Sequence, residues 1–200
     1  MSDTITAKGS DSKFKPHPAG QFVGQCVDTI DLGDRVETFA GQPSKLTHKC
    51  ALVFRTGEKN EQTGEYIDIA REFTVSMGEK ANLRKFLEQW RGRAYTSEQI
   101  EEGVPLHKLT GNHGLLTIAQ ATSQSQRTYA NITACVGIPK QMQSSTKKYD
   151  DYVRADFWAE RKKEYAEQAR KFRSEQAPAS GPDYEDFPQF DENGDEALPF

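Results

Sequence analysis

Three stretches of this chain set cations beside flat rings. "GDRVETFAGQPSK" supplies Arg35, Phe39 and Lys45; "KLTHKCALVFRT" supplies Lys49 and Arg55, with Tyr66 opening the segment beyond it; "SQSQRTY" supplies Arg127 and Tyr129. Cations neutralise a run of phosphates, while aromatic rings stack on unpaired bases whatever their identity. That is the chemistry of holding a single strand. Taken singly, each residue has a plainer use: a Lys or Arg on a strand is a solvated charge, and Phe39 or Tyr66 can close the end of a barrel. The expectation therefore attaches to the set.

Catalytic chemistry finds much less to work with. Asp28, Asp31, Asp34 and Asp68 could hold magnesium in a nuclease, but they fall in strands and turns without a recognisable metal spacing. "GEKNEQTGE" lacks the GK[ST] ending of a phosphate loop, and no GxSxG occurs. Cys26, Cys50 and Cys135 are far apart with no CxxC, so they read as small buried residues in a reducing compartment. His17, His48, His107 and His113 form no HExxH-type pair. The expectation is a non-enzyme without cofactor or metal.

Charge is distributed unevenly. The 200 residues carry a formal net charge of −4, yet residues 1–140 sum to +1, residues 141–175 to +2 and residues 176–200 to −7. The acidity belongs to the end of the chain, so a pI near 5.7 does not argue against a polyanion partner for the rest. No stretch approaches the ~18 apolar residues of a membrane span and no signal-peptide core precedes the first strand, which predicts a cytoplasmic protein without membrane contact.

The elements that must position these residues follow from periodicity. Residues 1–20, polar and broken by Pro16, Pro18 and Gly20, read as a flexible arm. "QFVGQCVDTIDLG" reads as a bent strand with Gly24 at the bend. "KLTHKCALVFRT" alternates, with Cys50, Leu52 and Phe54 on one side and Lys49, Ala51, Val53 and Arg55 on an exposed side. "YIDIAREFTV" completes a meander. In "GEKANLRKFLEQWRG", Leu83, Phe86, Leu87 and Trp90 recur at i, i+3, i+4 and i+7, which predicts an amphipathic helix with Glu79 in its first turn and Gly92 past its end. Its basic residues Arg84, Lys85, Arg91 and Arg93 then form the wet face. A short helix capped by Thr96 or Ser97 follows, then a hairpin of "HGLLTIAQAT" and "RTYANITACVGI".

Three strands, a helix and two strands over about 120 residues is the order of a five-stranded Greek-key OB-fold barrel, plugged by a helix between strands 3 and 4. A generic α+β sandwich would use the same elements. The length, the single helix position and the glycine in the first strand favour the barrel, placed at residues 21–140. Such a barrel binds its ligand across strands 2 and 3 and between the loops joining strands 1–2 and 4–5, which is where the eight cations and rings fall. Residues 141–175 are then a linker and a charged helix, capped by Asp150 or Asp151, with Trp158, Arg161, Tyr165 and Phe172 on one stripe. That stripe predicts docking on the barrel or on a second subunit, which leaves homo-oligomerisation open. Residues 176–200 hold no Lys or Arg and cannot form a core, so they read as a disordered acidic tail.

Over residues 20–140 the chain resembles the phage-encoded OB-fold single-stranded DNA-binding proteins. The segments that carry the likeness are "GQFVGQCVDTIDLG", "HKCALVF", "FTVSMGEKANLRKFLEQWRGR", "LTGNHGLLTIAQAT" and "YANITACVGIPK". Independently, the chain's end resembles the tail of bacterial single-stranded DNA-binding proteins, an acidic segment closing on Pro-Phe, here Pro199-Phe200 after Leu198. Those proteins carry a Gly/Gln-rich linker where this chain has a charged helix, so the likeness stops short of their tetrameric assembly. What the resemblance implies is coating of single-stranded DNA in replication, recombination or repair. The tail would recruit the partner enzymes. A non-catalytic protein-interaction adaptor built on the same barrel is the alternative reading.

Overall fold

A computed structural model describes residues 15–38, 44–123, 126–139, 141–142 and 146–176. Five strands form one antiparallel sheet: β1 (Gly20–Glu37), β2 (Lys45–Arg55), β3 (Ile69–Thr74), β4 (His113–Thr122) and β5 (Thr128–Val136), in the order β3-β2-β1-β4-β5. Between β3 and β4 the chain passes through α1 (Asn82–Arg91), α2 (Ser97–Glu101) and a 3-10 turn at Leu106–Leu109. The helix α3 (Phe157–Gln176) follows the sheet.

β1 runs longer than its sequence pattern suggests and serves two partners. Its first residues, from Gly20↔Ile118 to Gln25↔His113, pair with β4; from Gln25↔Arg55 to Glu37↔Lys45 it pairs with β2. Gly24 sits where the strand changes partner, and a Cβ there would come within 2.8 Å of Leu116 Cδ1. The bend thus needs a residue without a side chain. Two register shifts, at Cys26/Asp28 and Asp31/Gly33, twist the strand further, with Gly33 at φ +77°.

The inner face of the sheet packs on α1. Leu83, Phe86, Leu87 and Trp90 meet Cys26, Cys50, Leu52, Phe54, Phe73, Leu116, Ile118, Ile132 and Cys135, all buried. Burying each large side chain is worth ~1.5–3 kcal/mol against leaving it in water. Trp90 donates its indole N–H to the His113 carbonyl at 2.9 Å, so its polar atom is satisfied inside the core. Gly92 ends the helix in the left-handed region at φ 69°. Glu79 lies before the first helical residue, so the acidic first turn expected of α1 is absent. Thr96 caps α2 through a capping box with Gln99. The edge strands β3 and β5 are linked by Arg71, whose guanidinium donates to the carbonyls of Ile132 at 2.9 Å and Thr133 at 3.3 Å.

The outer face of β1–β3 is covered as well. Trp158, Tyr165 and Ala169 of α3 lie on one stripe and are buried, with Trp158 and Tyr165 packing over Val27, Ile30, Leu32, Ala51 and Val53. Small side chains on β2 leave room for the rings of the helix. Four charge pairs surround the seam: Arg154 with Asp28, Arg161 with Glu72, Lys162 with Asp31, and Arg173 with Asp34. Helix α3 opens after Asp156, whose carbonyl accepts from Ala159 and Glu160, rather than after Asp150 or Asp151. The cause is tertiary: the Tyr149 N–H is bonded to Gln25 Oε1 and Arg154 is clamped on Asp28, which holds this stretch in a non-helical path. His17, inside the expected arm, is buried with its Nε2 2.6 Å from Thr56 Oγ1.

Candidate nucleic-acid interface

The residues expected to bind separate into two groups once placed in space. Arg55 is only 7% exposed and donates through Nε and Nη2 to the Asp68 carboxylate at 2.7 and 2.8 Å. Tyr66, Tyr152 and Tyr149 lie around its guanidinium at 4.4, 5.3 and 5.8 Å. The Asp68 hydrogen bonds raise its pKa against the opposing effect of burial. Such a cation is spent inside the protein. Lys49, 8% exposed, pairs with Glu37 and donates to Thr74 Oγ1 at 2.8 Å, and its hydrogen bond holds the Glu37 carboxyl below the usual range. The expectation of an exposed Lys49–Arg55 face is therefore corrected. Arg55 is covered by the segment before α3, through Tyr149, Tyr152 and Asp151, and Lys49 is held by Glu37 and Thr74 of the neighbouring strands.

Tyr66 precedes β3 instead of opening it, in an isolated bridge with Lys59. One face of its ring receives Arg55, Tyr149 meets it edge-on at 5.4 Å, and Lys147 donates to its hydroxyl at 3.1 Å. Arg35 and Lys45 lie in paired strand ends, opposite Thr47 and Glu37, rather than in a loop. Arg35 is exposed with its guanidinium 5.4 Å from the Tyr165 ring centre, and Lys45 is exposed. Phe39, Leu198, Pro199 and Phe200 lie outside the described residues.

Arg127 and Tyr129, at the entrance to β5, keep the exposure expected of them, with Tyr129 41% exposed. Tyr129 lines a groove of about 310 Å³ between the start of β5, the approach to β3 and the first turn of α3. Another wall comes from Tyr152, Phe157, Trp158 and Arg161, with Ile67 and Asp68 from the approach to β3 and Ile69 and Ala70 from β3 itself. Phe157 is 49% exposed, with its ring centre 4.4 Å from that of Trp158. The groove offers flat apolar surface, and its two charged lining groups, Asp68 and Arg161, are already paired with Arg55 and Glu72, which suits a flat ring. Tyr152 and Phe157 were not singled out from the sequence. The pair Phe157-Trp158 at the mouth of a charged helix was the available signal, because a one-stripe helix has no internal use for both rings.

The aspartates considered as metal ligands are paired with basic side chains. Asp28 binds Arg154 through both oxygens at 2.7 Å, Asp68 binds Arg55, and His48 lies between Asp31 and Asp34 at 3.0 and 2.9 Å. Burial pushes the thiol of Cys26 up to about 12 and that of Cys50 to about 11, which keeps both protonated and unreactive at neutral pH. Among the described residues, no helix is long and apolar enough to cross a membrane. Comparison with protein-family models finds no match to this chain, and comparison with curated proteins finds none either.

Proposed function

We propose that this chain is a non-catalytic single-stranded DNA-binding protein built on an OB-type barrel, which coats exposed strands in replication or recombination with little sequence preference. The sheet order β3-β2-β1-β4-β5, with β1 bent and shared between β2 and β4, supports the barrel reading. So does Arg71, which spans the gap between β3 and β5 where a barrel would close. In this reading α1 plugs one end.

The observation that carries the reading is the groove at the start of β5, lined by the exposed rings of Tyr129 and Phe157, with the exposed Arg127 two residues before Tyr129 in the chain. The strand would run past this end of the sheet instead of across the face of β2 and β3, which α3 occupies. The covering of that face, with Lys49 and Arg55 turned inward, favours a second reading in which the chain is a protein-interaction adaptor.

Binding to a ~20-nucleotide oligo(dT) in magnesium separates the readings. The first requires saturable binding without cleavage, tighter than to duplex of equal length. It also requires a log–log salt slope of about −0.7 per phosphate neutralised. Equal or tighter duplex binding rejects it, and no binding leaves the adaptor. Leu198, Pro199 and Phe200 are proposed to dock replication or recombination enzymes. In that case Phe200→Ala leaves DNA affinity intact and loses partner enzymes in a pull-down, whereas an unchanged partner set removes the tail from the proposal.

A further inference from the structure

We infer that the groove between β5 and the first turn of α3 seats one unpaired base, held between Tyr129 on the sheet side and Phe157 on the helix side. The inference rests on the single-strand reading and assigns a binding role to a helix that lies outside the barrel. Among the described residues, four large apolar side chains are exposed: Val75, Tyr129, Val153 and Phe157. Both aromatic members of that set line this one groove, on walls contributed by elements far apart in sequence.

Its volume of about 310 Å³ lies at the small end of ligand clefts, ~300–1,000 Å³, which fits a single flat ring and excludes a folded peptide. Asp68, the carboxylate on its wall, is neutralised by Arg55, and the Arg161 guanidinium that also lines it is paired with Glu72. Arg127 lies two residues before Tyr129 and is exposed. A base seated here therefore meets rings beside carboxylates that are already paired, and Arg127 is the cation offered to its phosphates. The helix wall is held in place by buried Trp158, by Arg161 on Glu72 at 2.6 Å and by Arg154 on Asp28. A strand seated here touches the sheet and α3 at once.

The test compares the full chain with its Phe157→Ala, Tyr129→Ala and double variants on two probes, oligo(dT) of ~20 nucleotides and a strand of equal length made wholly of abasic sites. Each single variant should bind oligo(dT) about ten-fold more weakly, the size expected for loss of one stacking partner. The double variant should lose less than the product of the two, since both rings hold the same base. All four proteins should bind the abasic strand alike, and Tyr129→Phe should restore affinity for oligo(dT). If Phe157→Ala and Tyr129→Ala bind oligo(dT) as the wild type does, the base is not seated here, although the single-strand reading stands. If the variants weaken abasic binding equally, they act through the fold and the inference fails. A wild-type chain that binds neither probe overturns the single-strand reading, and the seat with it.

Discussion

Both faces of the β1–β3 part of the sheet are buried, but by different means. Inside, α1 and the strands exclude water with Leu, Phe, Ile and Cys, and the indole N–H of Trp90 is satisfied by the His113 carbonyl. Outside, α3 rests on a narrow apolar stripe and is surrounded by carboxylate–guanidinium and carboxylate–ammonium pairs. The first kind of contact depends on area and fit and is indifferent to salt. The second is screened by salt and titrated by acid, and exposed pairs of this kind contribute ~0–1 kcal/mol each. The inner core therefore makes the fold, whereas the outer layer positions one wall of the proposed binding groove at low cost in stability.

The comparison is broken most directly at Phe54, fully buried in the inner core. Phe54→Ala should cost about 3–5 kcal/mol of global stability in urea unfolding, monitored by the far-ultraviolet signal of the sheet. A loss below about 1 kcal/mol would mean that the inner cluster does not hold the fold.

Trp158→Ala attacks the other face. The lost burial is about 3 kcal/mol, but it should be charged to α3 alone. Amide exchange should rise across residues 157–176 while β2 stays protected. Should β2 lose protection to the same degree, the two layers form one cooperative unit and the distinction between them fails.

Arg55→Ala leaves the Asp68 carboxylate without its guanidinium partner and should cost about 2 kcal/mol, since Asp68 keeps some access to water. Its effect on single-strand binding sharpens the contrast further. The salt slope should stay as in the wild type, because the guanidinium is already neutralised by Asp68. A slope lowered by one phosphate contact would put Arg55 back on the DNA.

Acid should produce the smallest effect. The His48 hydrogen bond, aided by Arg173, holds the Asp34 carboxyl below its ordinary value. At Asp31 burial works the other way, but the Gly33 N–H and the Lys162 ammonium outweigh it. Groups lowered in this way stabilise the folded state fully above the unfolded carboxylate pKa of about 3.9, and that stabilisation is lost as the pH falls through their folded values. Both carboxylates face cations of α3, so acidification below about pH 4 should loosen the helix before the sheet. The chain has two tryptophans, Trp90 inside and Trp158 outside, so Trp158 fluorescence in a Trp90→Phe background reports the outer layer alone. A fluorescence transition coincident with the loss of sheet signal would contradict the order.

Local pattern alone located most of the elements. The hairpin segment "HGLLTIAQAT" marks β4 over its full length, the i, i+3, i+4, i+7 spacing of Leu83, Phe86, Leu87 and Trp90 selects the buried face of α1, and Thr96 as a capping residue marks the start of α2. These signals are legible because they depend on neighbours within a turn or a strand. The exposure of Arg127 and Tyr129 was legible for the same reason, as a polar loop precedes them. The fate of Lys49 and Arg55 was not, because alternation reports that a strand has two unlike faces and does not say what will cover the second. The apolar run "CALVF" was the one hint that both faces of β2 are buried. Only tertiary contacts decided that these two cations turn inward, Arg55 onto Asp68 among Tyr66, Tyr149 and Tyr152 and Lys49 onto Glu37 and Thr74. Only the docking of α3, more than a hundred residues further along the chain than β2, gives Tyr129 a second aromatic wall. Contacts over that separation are chosen by shape and charge across the whole fold, and no local period encodes them.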